Sequence, residues 1–582
     1  MLKTLGAQIK EFKKASLITP VFMILEVLME TIIPLMMASI IDDGVEAGDI
    51  HHIYVTGALM VLVAFFSLFC GAMGGKYGAS ASTGFARNLR KTMYENIQTF
   101  SFSNIDKFST AGLVTRLTTD VTNLQNAYQM LLRMCVRAPF SLICAMIMAF
   151  FINAKLACIY LIAVIILGAV LAVITVRAHH YFMEAFPKYD DLNASVQENV
   201  SAIRVVKAYV REDYEKKKFT TASQNLYRMF RKAEGILAFN NPAMMITVYG
   251  CIIAISWLGA KMIVGSTLTT GELMSLLTYC MNIMMSLMML SMVFVMLTMS
   301  IASAERICEV LTETSDIVNP ENPAYNVADG SITFDHVTFR YNQTSDTPVL
   351  SDINLSIASG ETIGIIGGTG SSKSSLVNLI SRLYDVNEGS VSVGGRDVRS
   401  YDLDTLRNEV SVVLQNNVLF SGTIYENLRW GDENATDEEC RHACALACAD
   451  EFIERFPDGY NTYIEQGGSN VSGGQKQRLC IARALLKKPK ILILDDSTSA
   501  VDTATDAKIR RAFAEEIPNT TKLIIAQRIS SVEHADRIVV LNNGVIDGVG
   551  THEELLANNA IYRDVYESQT SGSGDFDEGG AA

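Results

Sequence analysis

The fold of the second half of this chain is decided by the stretch Thr362-Ile-Gly-Ile-Ile-Gly-Gly-Thr-Gly-Ser-Ser-Lys-Ser-Ser375. Its first five residues form a short apolar run typical of a buried strand, and a helical pattern begins at Ser375. Backbone N–H groups of a glycine-rich loop and of a helix N-terminus together bind anions. The stretch therefore predicts a phosphate-binding loop, in which Lys373 reaches the β- and γ-phosphates and the Ser374 hydroxyl ligates Mg²⁺.

Two further segments favour a nucleotide site. Residues 491–494 form an apolar strand that ends in Asp495 and Asp496, and Asp495 suits a Mg²⁺ ligand at the carboxyl end of a parallel strand. Residues 470–475, Asn-Val-Ser-Gly-Gly-Gln, precede a helical run whose N-cap is Ser472. Taken singly, these are a buried strand with a solvated end and an ordinary helix cap. Their order and spacing favour a shared site.

Strand and helix patterns alternate throughout this half of the chain. Short, β-branched strands are predicted at 331–339, 362–366, 491–494, 522–525 and 537–541, with helical stretches between them. Such alternation predicts an α/β domain with a largely parallel sheet.

The first half of the chain is dominated by apolar residues. It contains six apolar stretches, at 17–41, 54–74, 138–152, 156–176, 242–264 and 273–299. Most approach the ~20 residues that cross a hydrocarbon layer of ~30 Å. The third is shorter, so we expect its helix to begin near Met130. Residues 1–14 are basic and predict an interfacial helix. Together these stretches predict an all-α transmembrane domain of six helices.

The charge of the links predicts the orientation of the chain. The long links, 75–130 and 177–241, are rich in Lys and Arg, whereas the three short links hold a single Lys. The positive-inside rule therefore places the long links and both termini in the cytosol. The absence of a transit peptide and the compact layout favour the plasma (inner) membrane of a bacterium. The helical pattern of the long links favours spans that continue into the cytosol, and a separate soluble insertion is the alternative.

Composition excludes other classes of protein. Of the 582 residues, 49% are hydrophobic and 19% are charged, against about 25% charged in a soluble domain. A net charge of −14 argues against a nucleic-acid partner, which requires a basic face. The 11 cysteines form no paired CxxC pattern and indicate reduced thiols. Cys440, Cys444 and Cys448 are four residues apart, but the alanines around them favour a packed helix over a zinc site.

With these motifs in place, the whole chain up to its tail resembles the ATP-binding cassette (ABC) exporters, in which six spans are fused to one P-loop nucleotide-binding domain. Val-Ser-Gly-Gly-Gln at 471–475 is among the most specific motifs of that family. The resemblance implies the type I/IV exporter fold, with ATP and Mg²⁺ as ligands. It implies a transmembrane domain at 1–310, a linker at 311–330, a nucleotide-binding domain at 331–567 and a flexible tail at 568–582.

The resemblance also implies residue roles by position. Tyr341 matches the aromatic that stacks on adenine, Gln415 the glutamine that senses Mg²⁺, and Asp502 the loop that crosses between two nucleotide sites. Residues 465–468 match a segment that contacts the cytosolic turns, and 108–116 and 199–207 match those turns. The implied nucleotide-binding residues are Tyr341, Gly367, Gly368, Thr369, Gly370, Ser371, Ser372, Lys373, Ser374, Ser375, Gln415 and Asp495. Of these, Ser374, Gln415 and Asp495 are the implied metal ligands. The signature residues Ser472, Gly473, Gly474 and Gln475 are implied to complete the site of a partner chain.

Three residues depart from the family pattern. The catalytic base is normally glutamate and here is Asp496, which is one methylene shorter. The switch histidine is replaced by Gln527, which donates a hydrogen bond but cannot carry a proton. The glycine before the lysine is replaced by Ser372, whose side chain disfavours the backbone angle needed there.

All three departures belong to the half-site of this chain, while its signature is intact. We therefore expect a heterodimer with a second, non-identical half-transporter, in which this chain holds ATP and the partner's site hydrolyses it. A homodimer with two slow sites is the alternative.

Residues of the first and sixth spans suggest a substrate cavity. Glu26 and Glu30 lie one helical turn apart inside the first span, where charge is costly. They either attract lipophilic cations or pair with Arg133 or Arg137. Residues Met285, Met288 and Met292 belong to a stripe on one helical face, which favours either a polyspecific surface or helix packing. We expect a hydrophobic small-molecule substrate, and the alternatives are a lipid or lipopeptide flippase and a regulatory subunit that transports nothing.

Overall fold

The structure, a computed structural model, describes residues 1–342, 347–497 and 499–571. These residues divide into two compact units. The membrane unit comprises Met1–Thr99 and Ser109–Glu313, and the nucleotide unit comprises Phe100–Phe108 and the chain from Thr314 onward. The nucleotide unit thus takes in a short segment that lies, in sequence, between two apolar helices.

The first half of the chain is built from helices. In chain order these are α1 (Leu2–Ala7), α2 (Lys13–Ser39), α3 (Ile50–Gln98), α4 (Phe102–Phe108), α5 (Thr110–Thr115), α6 (Val121–Ile152), α7 (Ala154–Ser201), α8 (Ile203–Ala208), α9 (Glu212–Leu237), α10 (Asn240–Val264) and α11 (Thr270–Thr312). All of them except α4 belong to the membrane unit.

Six helical stretches among the described residues are long and apolar enough to cross a membrane. They are Lys10–Glu46, Ile50–Gln98, Thr110–Ile152, Ala154–Ala178, Glu212–Val264 and Thr270–Thr312. The predicted six-helix domain is therefore confirmed. Residues 1–14 do not form one interfacial helix as expected, because α1 ends at Ala7 and α2 already begins at Lys13.

Polar caps define the short turns between the apolar helices. The Asn153 side chain accepts hydrogen bonds from the backbone N–H groups of Lys155 and Leu156, and so ends α6 and starts α7. Thr269 and Glu272 form a capping box at the start of α11. By contrast, α3 continues for 49 residues, or about 73 Å at 1.5 Å per residue. This length exceeds a bilayer core and agrees with spans that continue into the long links.

The nucleotide unit is a two-sheet α/β structure. Its strands are β1 (Ile332–Phe339), β2 (Leu350–Ile357), β3 (Thr362–Ile366), β4 (Glu388–Val393), β5 (Arg396–Asp397), β6 (Val410–Val413), β7 (Gly422–Thr423), β8 (Tyr463–Ile464), β9 (Ile491–Asp495), β10 (Thr521–Ile525), β11 (Arg537–Asn542) and β12 (Val545–Gly550). The central sheet has the order β12-β11-β3-β10-β9-β6 and is parallel except for the edge strand β12. An antiparallel sheet has the order β2-β1-β4-β5.

Short helices complete this unit and cover the central sheet. They are α12 (Lys373–Asn378), α13 (Leu403–Glu409), α14 (Ile424–Leu428), α15 (Asp437–Leu446), α16 (Asp450–Ile453), α17 (Gly473–Leu486), α18 (Thr503–Glu516), α19 (His552–Asn558) and α20 (Ala560–Ser571). Strands β3, β9 and β10 are almost wholly buried, as their continuous apolar sequences require.

The register of the central sheet positions the candidate site. Ile525 of β10 lies opposite Ile365 of β3 on one side and Asp495 of β9 on the other. The three strands are parallel, so their carboxyl ends emerge at the same edge of the sheet. Such an edge is where open α/β sheets bind ligands.

The predicted flexible tail at 568–582 is wrong for its first four residues, which complete α20. The Gln569 side chain accepts a hydrogen bond from the backbone N–H of Ile529 at 2.9 Å, and this contact holds the helix on the domain. Residues 572–582 lie outside the described part of the chain. Within the predicted linker, at 311–330, the boundary between the two units falls between Glu313 and Thr314.

Candidate nucleotide site

The phosphate loop follows β3, which lies between β10 and β11 in the central sheet. Gly367, the first residue of the loop, lies close to the neighbouring strand β11. A Cβ at this position would lie 2.2 Å from the Leu541 carbonyl oxygen, so only glycine fits. At Gly368 and Gly370 a Cβ would meet nothing within 4 Å, so this part of the loop faces open space. The loop thus has the shape and the free backbone that a phosphate chain requires.

Lys373 lies at the centre of this loop. Its Nζ donates hydrogen bonds to the carbonyl oxygens of Gly367, at 2.8 Å, and Gly368, at 2.9 Å. Burial lowers the pKa of Lys373, and the nearby Asp495 and Asp496 carboxylates oppose that effect. The ammonium group is therefore held beside the loop and next to the two acids, where it can meet a phosphate.

Ser372 occupies the backbone position that glycine normally fills in this family. Its φ is +73° and its ψ is 24°, in the left-handed region. A non-glycine residue in that region carries a strain of about 1 kcal/mol. The loop keeps the glycine-like conformation in spite of the serine, so the substitution adds strain without changing the path of the backbone.

The residues predicted to hold Mg²⁺ are adjacent. The Ser374 hydroxyl lies beside the carboxylate of Asp495, which ends β9 and is buried. Burial raises the pKa of Asp495, as does the neighbouring charge of Asp496, while the Ser374 hydroxyl and Lys373 lower it. A carboxylate and a hydroxyl oxygen are ligands that suit Mg²⁺, so these two residues fit the ion.

Asp496 lies at the centre of a hydrogen-bonded group. Its carboxylate accepts a hydrogen bond of 2.8 Å from the Gln527 side chain. Burial raises the pKa of Asp496, and the neighbouring amides of Gln415 and Gln527 oppose the shift. Gln415, Asp496 and Gln527 were each predicted from the sequence to belong to the site, and the sheet edge brings all three together.

A residue missed by the sequence analysis supports this group. The Gln569 side-chain amide donates a hydrogen bond of 2.8 Å to the backbone carbonyl of Gln527, while its oxygen accepts from Ile529. The last helix of the unit, α20, thereby fixes the loop that carries Gln527. No local pattern marks Gln569, because it lies 42 residues after its partner.

The signature segment forms the N-terminus of α17. The Ser472 hydroxyl accepts a hydrogen bond from the Gln475 backbone N–H, and the Gln475 side chain accepts one from the Ser472 backbone N–H at 2.9 Å. This capping box fixes the first turn, where Gly473 and Gly474 leave backbone N–H groups accessible. The arrangement presents an anion-binding surface.

Gln477 connects the signature helix to the loop after β9. Its side-chain nitrogen donates to the Ser499 hydroxyl at 3.2 Å, and its oxygen accepts from the Ala500 backbone at 3.0 Å. The Ser499 hydroxyl in turn donates to the Asp496 carbonyl at 2.9 Å. Asp502, predicted as the inter-site residue, caps α18 by accepting from the Thr505 N–H at 2.9 Å.

Tyr341, the predicted adenine platform, is 49% exposed and follows β1. Its hydroxyl lies 2.9 Å from the Ser375 hydroxyl at the start of α12, which ties the ring to the phosphate loop. The Tyr341 ring packs edge-to-face against the ring of Tyr384, with the ring centroids 5.0 Å apart. An exposed ring next to a phosphate loop fits a purine base.

The first predicted cytosolic turn, 108–116, includes the boundary between the two units. Phe108 ends α4 in the nucleotide unit, where Asp106 accepts a hydrogen bond of 2.8 Å from Tyr384. Ser109 caps the next helix, α5, in the membrane unit, and the role of this turn stays a prediction. The second predicted turn, 199–207, covers the end of α7 and most of α8, both in the membrane unit.

The membrane unit pairs the two acids of the first span with one arginine. Arg137 donates to Glu26 at 2.7 Å and to Glu30 at 2.9 Å and 3.0 Å. Gly71 makes room for this group, because a Cβ there would lie 2.8 Å from a Glu26 oxygen. The other oxygen of Glu26 is buried and has no hydrogen-bond partner. Arg133, the other predicted partner, packs instead against Gly78.

The methionine stripe of α11 divides into two groups. Exposed members are Met281, Met285, Met288, Met292 and Met296. By contrast, Met284 is 1% exposed and belongs to the packed core of the unit. The predicted cavity residues Met285, Met288 and Met292 therefore lie on an uncovered face of this chain.

Comparison with known proteins shows two family matches. The ABC transporter transmembrane region matches residues 16–301, and the ABC transporter family matches residues 350–499. An uncharacterized ABC transporter ATP-binding protein of Bacillus subtilis, YfiB, is 36% identical over 96% of this chain and 97% of its own length.

Two relatives carry functional names. A probable multidrug resistance ABC transporter ATP-binding/permease protein of Bacillus subtilis, YheI, is 34% identical over 83% of this chain and 82% of its own length. An ATP-dependent lipid A-core flippase of Desulfotalea psychrophila is 33% identical over 83% of this chain and 84% of its own length.

A solved structure has the same fold. It is a bacterial Atm1-family ABC exporter with ATP bound, with a TM-score of 0.83 and 24% identity over 96% of this chain and 99% of that one.

Proposed function

The chain belongs to the family of ABC exporters that carry a transmembrane and an ATP-binding region in one polypeptide, and on that premise we propose that it is the ATP-holding half of a heterodimeric exporter. The heterodimer exports hydrophobic or amphipathic compounds by alternating access. One of its two ATP sites is degenerate and the other is competent.

The observation that carries this proposal is the hydrogen bond of 2.8 Å from Gln527 to Asp496. A general base must accept a proton from its water across about 2.6–3.2 Å. The Asp496 carboxylate is one methylene short of the usual glutamate, and the Gln527 amide already occupies one of its oxygens. A misplacement of about 1 Å can cost about 10²-fold in rate, so this site binds ATP and hydrolyses it slowly.

The intact signature supports the second half of the proposal. Ser472 and Gln475 form a complete capping box, so the anion-binding end of α17 is fully formed. In this family, a signature completes the ATP site of the opposite chain. A chain with an intact signature and a shortened catalytic base therefore contributes more to hydrolysis at its partner's ATP site than at its own.

The substrate class follows from the membrane unit. Its exposed methionines form a flexible, polarizable face that suits varied apolar molecules. The group formed by Glu26, Glu30 and Arg137 holds two acids and one base, so a surplus negative charge favours amphipathic cations. The name of the relative YheI, a probable multidrug resistance transporter, agrees with such substrates.

A lipid or lipopeptide flippase is the second candidate, and one relative is named as a lipid A-core flippase. In either case we place the chain in the plasma (inner) membrane, with both termini and the nucleotide unit in the cytosol. The support for this orientation is the excess of Lys and Arg in the long links.

The test compares the purified chain with and without a second exporter half encoded beside it. Nanodisc-reconstituted chain alone should bind ATP and hydrolyse it about 10²-fold more slowly than the pair. A Lys373→Ala variant, which loses the central ammonium group of the loop, is the control for binding at this site. Brisk hydrolysis by two copies of this chain alone would refute the heterodimer, whereas slow hydrolysis that the second half does not raise would favour the homodimer with two slow sites.

A further inference from the structure

Within the nucleotide unit, the segment Phe100–Phe108 contacts Tyr384, a side chain of the loop after α12. The Tyr384 hydroxyl donates a hydrogen bond of 2.8 Å to an Asp106 carboxylate oxygen. The ring of Tyr384 also packs against Phe102, with the centroids 6.0 Å apart and an interplanar angle of 59°. Tyr384 therefore holds α4 by a polar contact at its hydroxyl and an apolar contact at its ring.

The same tyrosine contacts the predicted adenine platform. The rings of Tyr384 and Tyr341 are 5.0 Å apart at an interplanar angle of 87°, an edge-to-face pair. Phe339 contacts both rings, at 4.8 Å from Tyr341 and 5.7 Å from Tyr384. Three aromatic rings thus form one packed cluster. Because the rings are in close contact, a shift in the position of Tyr341 also shifts Tyr384.

Separate contacts anchor the other end of the segment. Ser103 donates to the Asp316 carboxylate at 2.6 Å, and Ser101 donates to the same side chain. The Asn104 side chain donates to the Thr314 carbonyl at 3.3 Å. These bonds join the segment to the start of the nucleotide unit and do not involve the aromatic cluster, so the two attachments can be altered independently.

We propose that Tyr384 is a positioning residue that couples a base stacked on Tyr341 to the segment Phe100–Phe108, and hence to helices α3 and α5 on either side of it in sequence. This inference rests on the proposed ATP site. A base on the exposed face of Tyr341 orders that ring, Tyr384 follows through the edge-to-face contact, and Asp106 follows through the hydrogen bond. The segment therefore responds to the base of the nucleotide and not only to its phosphates.

The burial and bonding of Tyr384 agree with this role. Burial raises the pKa of its hydroxyl, and the Asp106 carboxylate, which needs the proton of that hydroxyl, raises it further. The hydroxyl stays protonated at neutral pH and remains a donor. A hydrogen bond to a charged acceptor is stronger than one between neutral groups, so this contact can bias the position of a small segment.

Hydrogen–deuterium exchange of the full chain in nanodiscs tests the coupling. Saturating Mg²⁺–ATP should slow amide exchange in 100–108 several-fold, whereas saturating inorganic triphosphate should slow exchange in 367–375 but not in 100–108. Tyr384→Phe keeps the ring and loses the hydroxyl, so it should abolish the ATP-dependent change in 100–108. Asp106→Asn keeps an acceptor oxygen and should retain most of the change.

Ser103→Ala is the matched control. It removes one hydrogen bond from the same segment but leaves the tyrosine contact, so it should raise exchange in 100–108 with and without ATP and retain the difference. If Tyr384→Phe does not fold, Asp106→Ala breaks the same bond from the other side.

Two outcomes would overturn the coupling. One is an unchanged ATP response in the Tyr384→Phe chain, and the other is an equal response to ATP and inorganic triphosphate. Absence of ATP-dependent protection at 367–375 would instead refute the ATP site itself, and the two failures are therefore distinguishable.

Discussion

The side-chain amide of Gln527 donates a hydrogen bond of 2.8 Å to Oδ2 of Asp496. Gln569 in turn holds the backbone of Gln527 from α20. The acid at the position where this family normally has its catalytic base is thus held by the Gln527 amide, with Gln415 beside it. The bond links two departures from the family pattern into one structural unit.

The first prediction concerns these two positions. The double variant Asp496→Glu/Gln527→His should raise single-turnover ATP hydrolysis at this site by about 10²-fold, because the longer acid reaches the water and the histidine can carry a proton. Rapid-quench assays on the reconstituted chain, paired with its partner, measure the change. Gln569→Ala loosens the loop that carries Gln527 without restoring a base, so it should leave the hydrolysis rate low. An equal rise in the Gln569→Ala chain would contradict the explanation.

Ser372→Gly should tighten ATP binding. Glycine adopts a φ of +73° freely, so the variant relieves a strain of about 1 kcal/mol, equivalent to about fivefold in affinity if the strain opposes the bound form. Isothermal titration with Mg²⁺–ATP checks the prediction. Ser266 also has a positive φ, of 55°, but lies in the membrane unit. Ser266→Gly should therefore leave the ATP affinity unchanged, and a similar gain in both variants would argue for a general effect.

Ser472→Ala should separate the two ATP sites. It removes the N-cap of α17, so hydrolysis by the assembled pair should fall steeply, while ATP binding by this chain alone should persist. Thr551 forms the same capping box at α19. Thr551→Ala should cost a similar ~1 kcal/mol of stability and spare hydrolysis. Loss of hydrolysis in both variants would point to simple destabilisation.

Removal of Arg137 should destabilise the membrane unit. Arg137→Ala leaves the Glu26 and Glu30 carboxylates unpaired and should lower the free energy of unfolding by about 3 kcal/mol. Unfolding of the detergent-solubilised chain by sodium dodecyl sulfate measures the loss. Glu30→Gln leaves the Glu26–Arg137 pair in place and should cost less than about 1 kcal/mol. An equal cost for the two variants would show that the ion group is not the stabilising contact.

The part of ATP affinity that depends on Mg²⁺ should fall as the pH is lowered into the acid range, and the fall should begin at a higher pH than an ordinary aspartate would give. Burial, and then the charge of Asp496, raise the pKa of Asp495, so its carboxylate takes up a proton at a higher pH than an ordinary aspartate does. The protonated form does not ligate Mg²⁺, so affinity is lost on the acid side. Asp495→Asn has no titrating group at this position. Its ATP affinity should therefore vary with pH only as the protonation of ATP itself requires, and titrations at several pH values measure this.

The sequence allowed six apolar helices and the main buried strands to be predicted because both depend on local patterns. A span must be about 20 apolar residues long, and β3, β9 and β10 are continuous apolar runs. Among the described residues, seven strands were missed, which are β2, β4, β5, β6, β7, β8 and β12. Edge strand β12, Val-Ile-Asp-Gly-Val-Gly, alternates in burial and carries two glycines, so its pattern alone is weak.

The sequence by itself thus determined the phosphate loop, the acids after β9, the signature and the substituted positions, since each is a local motif whose chemistry resides in consecutive residues. The tertiary structure decided the rest. Arg137 and not Arg133 pairs with Glu26 and Glu30, and Gln569 holds Gln527 from the last helix. Tyr384, which packs against Tyr341, contacts Asp106 across 278 residues of sequence. Such contacts depend on which helix faces and loops the packing brings together, and no spacing along the chain encodes that choice.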